Sequence, residues 1–226
     1  LDDQEKYLRE LKKLFWENNI SVDEFQLERL AHFAELVVGK NEDVNLISRN
    51  DIENISENHI FISYLVSQYI PLKALNFLDI GTGGGFPGIP LAISNPMFRG
   101  VLADSTGKKI EAVQDFLSAL KLTNVVAENS RVESEEFKEK YKDHFDVVVS
   151  RATVPLIILF RYSVPLIKNK AYLLAMKGGD ITEEFQTASL KYKPYIKKST
   201  IFELSYKPGN IRNEKGKKLV LVELVK

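Results

Sequence analysis

Cysteine is absent from the 226 residues, which excludes a disulfide framework, a thiolate zinc or iron–sulfur site and a cysteine nucleophile. Net charge is absent too, with 31 basic residues balancing 31 acidic ones. There is no internal repeat and no low-complexity tract. Nor is there an apolar run suited to a bilayer. The longest uncharged stretch, Ile80 to Phe98, holds five glycines and three prolines in 19 residues, and these would break a helix repeatedly in lipid. The opening residues, Leu1 to Lys6, have neither the basic tip nor the apolar core of a signal peptide. The expected compartment is the cytoplasm.

What is present suits a globular protein, since 44% of residues are hydrophobic and 27% charged. A chain of this length buries roughly 70% of its unfolded surface and needs no covalent staple. At roughly 150 residues per domain, one large domain with a helical extension is expected. The neutral total hides an asymmetry. From Arg161 onward there are 14 basic and 6 acidic residues, a pointer to a polyanionic partner. Solvated faces of ordinary helices and strands would give the same count.

Residues 1–71 read as helices packed on the remainder of the chain. Leu8, Leu11, Leu14 and Phe15 recur at helical spacing. Ser21-Val22-Asp23-Glu24 has the form of a capping box before Leu27, Leu30, Ala34 and Val37, with an end at Gly39. After a polar connector from Lys40 to Asn50, Ile52, Ile55, Ile62 and Leu65 mark a third helix, closed by Pro71.

From residue 72 onward the pattern changes to short apolar runs alternating with helical ones. Strands are expected at Leu75–Ile80, Gly100–Asp104, Asn124–Glu128, Phe145–Ser150 and Ala171–Met176. Helices are expected at Gly88–Ser94, Lys108–Leu120, Ser134–Tyr141 and Pro155–Ile167. This alternation predicts an α/β fold, a mostly parallel sheet with both faces covered. Ile196–Leu204 and Lys218–Val225 then form a hairpin through Lys207-Pro208-Gly209-Asn210, so at least one edge strand should run antiparallel.

The most informative segment is Leu78-Asp79-Ile80-Gly81-Thr82-Gly83-Gly84-Gly85-Phe86-Pro87-Gly88. It joins the first strand to the first helix of the sheet region, at the carboxyl edge where such sheets bind ligands. Glycines let the backbone turn sharply and bring a ligand close to helix N–H groups. Asp104 ends the second strand, 23 residues after Gly81, where a carboxylate can accept hydrogen bonds from both ribose hydroxyls. A helix N-cap is its plainer role. Gly83, Gly85 and Gly88 also satisfy the dinucleotide fingerprint. The acidic residue before Gly81-Thr82-Gly83 and the terminal hairpin favour S-adenosylmethionine over a nicotinamide cofactor.

These residues, continued through Ile89-Pro90-Leu91, resemble the signature of the ribosomal RNA small subunit methyltransferase G family, also called glucose-inhibited division protein B. Further matches occur in the family's order. They are Asn45-Leu46 with Arg49 and Asp51, His59-Ile60, Asp104-Ser105 with Gly107-Lys108-Lys109, Ser130-Arg131-Val132-Glu133, Ser150-Arg151-Ala152 and Lys177-Gly178. One departure stands out. The family usually has an acidic residue three positions after the histidine, and here that position is Ile62. The first 40 residues carry no assignable motif.

The resemblance implies a Rossmann-like class I methyltransferase acting on N7 of one guanine in 16S ribosomal RNA or the small subunit, expected as a monomer without a metal. It implies cofactor contacts at Asp79, Gly81, Gly83, Phe86, Asp104, Ser105, Val132, Glu133 and Arg151, with the backbone of Val132-Glu133 at the adenine. Guanine N7 has a lone pair and no proton to lose, so in-line displacement needs no general base. Arg151 and Lys177 are then candidates for positioning the guanine or a phosphate. Asn45, Arg49, His59, Arg131, Lys177, Lys217 and Lys218 are candidate RNA contacts. His59 could equally be a locally satisfied helix residue, and Arg131 could instead pair with Glu133 or Glu135. Phosphate contacts are also expected along Tyr192, Lys193, Lys197, Lys198, Lys207, Arg212, Lys215, Lys217 and Lys218. The alternatives are a nicotinamide oxidoreductase using the same turn, and a non-catalytic RNA-binding adaptor.

Overall fold

A computed structural model describes residues 3–151, 153–208 and 217–226. Seven strands form one sheet in the order β3-β2-β1-β4-β5-β7-β6. They are β1 (Asn76–Ile80), β2 (Arg99–Asp104), β3 (Val125–Asn129), β4 (Phe145–Arg151), β5 (Ile167–Lys177), β6 (Ile196–Leu204) and β7 (Lys217–Val225). β1 to β5 run parallel, and β7 pairs antiparallel with both β5 and β6. The reversed strand is therefore internal. The edge strand β6 points the same way as β1 to β5, which corrects the expectation of an antiparallel edge. The turn residues Gly209 and Asn210 lie outside the described residues, as do Arg212, Lys215 and Ala152.

Alternation along the strands assigns each face its cover. On one face, Phe77, Leu102, Val147, Val149 and Leu174 pack with the N-terminal helices α1 (Asp3–Glu17) and α2 (Glu24–Lys40). The short α3 (Ile62–Val66), α4 (Gly88–Ser94) and α5 (Gly107–Ala119) join them there. On the other face, Leu78, Ile80, Val148, Leu173 and Val222 pack with α6 (Glu135–Lys140), α7 (Leu156–Ser163) and α8 (Thr182–Lys191). The Val147-Val148-Val149 run is buried on both sides, as a parallel core strand requires. Helix α8 is not anticipated by the sequence pattern. Its only deeply buried residue is Ala188, so its apolar stripe is faint.

Two helical expectations shift. The capping box is formed by Asp23 and Gln26, not by Ser21 and Glu24: Gln26 N donates to Asp23 Oδ1 at 2.7 Å, and Gln26 Oε1 accepts from Asp23 N. Gln26 also donates to the carbonyls of Ile93 and Ser94, which ties α2 to the end of α4. The third helix is not uniform. A 3-10 turn (Arg49–Asn54), a π-wound turn (Ser56–Phe61), α3 and a second 3-10 turn (Ser67–Tyr69) succeed one another. Such π segments gather at functional sites. Among the described residues no helix is long and apolar enough to cross a membrane.

Candidate active site

Strand order reverses between β1 and β4, so their carboxyl ends open a crevice. Ile80, Asp104, Asn129, Arg151 and Lys177 close β1 to β5 at this edge, and Gly81 follows directly on β1. Because β7 runs the other way, its first residue, Lys217, arrives there too.

The glycine turn is organised by two carboxylates. Asp79 is fully buried, and its Oδ2 accepts from Thr82 Oγ1 at 2.7 Å and from Gly88 N at 2.9 Å, drawing the two ends of the turn together. Its Oδ1 is buried without a partner. Burial raises the Asp79 carboxyl to about 7 against the pull of those two bonds and of the Arg151 charge. Gly88 has no room for a side chain, since a Cβ there would lie 2.1 Å from Leu102 Cδ2. Gly81 has φ +70°, and its missing Cβ admits Thr153 from the turn after β4. Asp104 Oδ2 accepts from Gly83 N at 3.0 Å and its Oδ1 from Thr106 N at 2.9 Å. Each oxygen keeps a second lone pair free for a ligand.

Ser105 and Arg131 are exposed beside this turn, Glu133 is half-buried, and the Val132 side chain is buried in the core, leaving only its backbone to offer. Arg131 pairs with neither Glu133 nor Glu135; the partner of Glu135 is Lys138 at 2.7 Å. Phe86 is turned inward. Its ring lies 5.0 Å from that of Phe33 and 5.1 Å from that of His59. It backs Arg151 and His59 more than it forms a surface of the turn.

That cavity, of about 370 Å³, lies beyond the turn on the β4–β5 side. It is lined by Asp51, Asn58, His59, Ile62, Arg151, Met176, Lys177, Gly178 and Lys217. The Arg151 guanidinium sits 5.3 Å over the Phe86 ring, donates to the Asn58 carbonyl at 3.3 Å and donates to His59 Nδ1. Burial lowers Arg151 only to about 10, so it stays cationic. Burial and the Arg151 charge lower His59 to about 3, so it stays neutral. Asp51 accepts from Asn58 Nδ2 at 2.8 Å, and its other oxygen stands 3.5 Å from His59 Nε2. Burial and Arg151 also lower Lys217, which has no ion-pair partner among the described residues.

Several expected contacts are differently engaged. Lys177 reaches the cavity wall, but its ammonium donates to Glu184 at 2.8 Å and to the Val154 carbonyl at 2.7 Å. Asn45 and Arg49 are exposed and lie outside the cavity lining, and Lys218 comes next to Lys217 on β7. In the basic tail, Lys197 pairs with Glu223, Lys207 stands 4.0 Å from Glu17, and Tyr192 stacks on Phe160. Lys193 and Lys198 remain exposed. Asn58, Thr82, Thr153 and Met176 join the site without having been singled out by the sequence motifs. Of these, only Thr82, inside the glycine turn, carries a local signal.

Comparison with known proteins identifies the pattern. Residues 26–208 match the family described as rRNA small subunit methyltransferase G. The Ribosomal RNA small subunit methyltransferase G of Chlorobium luteolum is 41% identical over 79% of this chain and 73% of its own. That of Chlorobaculum tepidum is 40% identical over 82% and 84%. Among solved structures, an O-methyltransferase from Bacillus cereus in complex with SAH superposes with TM-score 0.62 at 17% identity, covering 99% of this chain and 100% of that one. A tRNA methyltransferase from Aquifex aeolicus gives 0.58 at 13%, covering 86% and 76%. Identities this low speak to the fold alone.

Proposed function

The chain belongs to the rRNA small subunit methyltransferase G family, and from that membership we propose the division of labour between the turn and the cavity. The protein transfers a methyl group from S-adenosylmethionine to small-subunit ribosomal RNA, at N7 of a guanine. The observation that carries this reading is the juxtaposition, at one sheet edge, of a turn held by Asp79 and Asp104 and a cavity holding Arg151 and a neutral His59.

The residues at the turn fit the cofactor. Asp104 has carboxylate lone pairs to spare for ribose hydroxyls. The backbone of Val132 and Glu133 offers hydrogen-bonding groups to an adenine, and the partnerless Oδ1 of Asp79 leaves unused hydrogen-bonding capacity under the turn. When bound, S-adenosylmethionine supplies an electrophilic methyl group on a sulfonium. Asp79 is then a scaffold of the cofactor site whose direct bonds go to the protein.

The cavity takes the acceptor base. Since N7 has no proton to lose, the protein's task there is alignment, which can contribute about 7–11 kcal/mol. Methylation leaves positive charge on the purine, so further cations in the cavity would oppose it. A neutral His59 adds none, and Arg151 is held to His59 and to the Asn58 carbonyl. Lys217 is the candidate for O6 or a phosphate. Lys177 acts one step back, fixing the segment after β4. Residues 1–71 serve as an extension supplying the outer wall of the cavity, and the protein works as a cytoplasmic monomer.

The test is incubation of deproteinised and assembled small-subunit RNA with labelled S-adenosylmethionine, then mapping of the modified nucleotide. Label on a single guanine, at the N7 position, is expected. RNA binding without release of S-adenosylhomocysteine would make the chain an adaptor and overturn the reading.

A further inference from the structure

One carboxylate in the cavity neither holds the glycine turn nor anchors Arg151. Asp51 enters from the 3-10 turn at Arg49–Asn54 with 35% of its side chain exposed. It accepts one hydrogen bond, from Asn58 Nδ2 at 2.8 Å, and the 3.5 Å to His59 Nε2 is too long for a normal second one. A carboxylate accepts about four, so much of its capacity is left for a ligand. It is also the sole carboxylate among the described residues lining the cavity.

The rest of the lining sorts by chemistry. Ile62 and Met176 are apolar, Arg151, Lys177 and Lys217 are cationic, and His59 is neutral. A lining that combines apolar groups, cationic donors and a carboxylate suits guanine. Its N1–H and N2–H₂ are donors, and its O6 and N7 are acceptors. Contacts run outward from the glycine turn through Phe86, Arg151 and His59 to Asp51. Asp51 shares the cavity with Arg151 and His59, and its side-chain oxygens make no bond to the glycine turn. A purine held with its N1–N2 edge at Asp51 keeps N7 free on its opposite side.

We propose that Asp51 determines base specificity by accepting hydrogen bonds from N1–H and N2–H₂ of the target guanine. This rests on reading the cavity as the acceptor-base pocket. Adenine presents a lone pair at N1, which a carboxylate repels, and base edges of unstacked nucleotides are read in this way. The contact also favours the reaction. Positive charge arriving on the ring makes N1–H more acidic, so its bond to Asp51 strengthens toward the transition state. Where the family usually carries an acid, Ile62 contributes an apolar group to the lining, which leaves Asp51 as the carboxylate of the described lining.

The experiment uses splint-ligated small-subunit RNA carrying guanosine or inosine at the mapped target. Inosine lacks only the N2 amino group. The wild type is expected to favour guanosine by about tenfold or more in kcat/KM, the effect of one charge-assisted hydrogen bond. Asp51→Ala should lower the guanosine rate and bring the ratio close to one, with S-adenosylmethionine affinity and Tm unchanged. Asp51→Asn, which keeps the side-chain shape, should show the same collapse. A wild type indifferent to inosine would overturn the proposal. So would variants that slow while retaining the full preference, since Asp51 would then only orient His59. Failure of the wild type to methylate even guanosine RNA would strike the functional reading itself, and this proposal with it.

Discussion

Arg151 donates to Nδ1 of His59, and because a guanidinium has no lone pair, the histidine is the acceptor at that nitrogen. The ring proton therefore sits on Nε2, facing Asp51. With its pKa lowered to about 3, His59 should stay neutral through the whole working range. Nitrogen-15 spectra should show the Nε2–H tautomer unchanged from pH 8 to pH 5; a titration near 6.5 would contradict this. The folded state resists a proton that the unfolded chain accepts below about 6.5. His59 thus lowers stability as pH falls from about 6.5 toward 3, and His59→Gln should remove that acid sensitivity.

Asp79 acts with the opposite sign. Its folded pKa, about 7, lies above the roughly 3.9 of an unfolded aspartate, so between those values the folded state holds a proton that the unfolded chain has released. Stability from this group is present below about 4 and is lost as pH rises to about 7. Asp79→Asn should flatten that limb. Because the two windows overlap, the wild-type curve of Tm against pH will look flatter than either effect. Subtracting each variant's curve separates them, and slopes of the same sign would show that one of these environments is misassigned.

How much of this was legible from sequence divides along physical lines. The parallel strands were readable because burial on both faces forces unbroken apolar runs such as Val147-Val148-Val149, and the turn was readable because its glycines mark tight backbone. Asp104 stood out by its distance from that turn. The internal place of β7 was not readable, since a hairpin pattern leaves open which of its strands pairs with β5. The mixed winding of residues 49–69 left no trace, because 3-10, π and α turns share nearly the same apolar spacing. Most of all, the partners of polar groups were invisible. Nothing in the sequence says that Lys177 is engaged by Glu184, seven residues on in a helix whose stripe is faint, or that Asp51, Asn58 and His59 converge on Arg151.

Asp104 joins two strand ends through its bonds to Gly83 and Thr106 while keeping lone pairs for a ribose. Asp104→Asn keeps the size but loses the charge and half the acceptor capacity. Loss of one charge-assisted hydrogen bond, about 1.5–3 kcal/mol, should weaken S-adenosylmethionine roughly ten- to a hundredfold by isothermal titration. RNA affinity measured separately should hold. Equal loss of both ligands would indicate a collapsed turn, which a drop in Tm would report.

Lys177 offers a choice between reading the base and holding the segment after β4. Its ammonium bonds Glu184 and the Val154 carbonyl, and the same Glu184 oxygen accepts from Leu156 N at 2.6 Å. With the Lys177 side chain only 13% exposed, the group acts as a clip across the turn that carries Thr153 against Gly81. If it is a clip, Lys177→Ala and Glu184→Gln should slow methyl transfer alike, and the double variant should cost little more than either, because residues of one network are not additive. If Lys177 reads the base, Glu184→Gln frees it and preserves the rate while Lys177→Ala abolishes it. The engaged geometry predicts the first outcome, and kcat/KM for the three variants decides it.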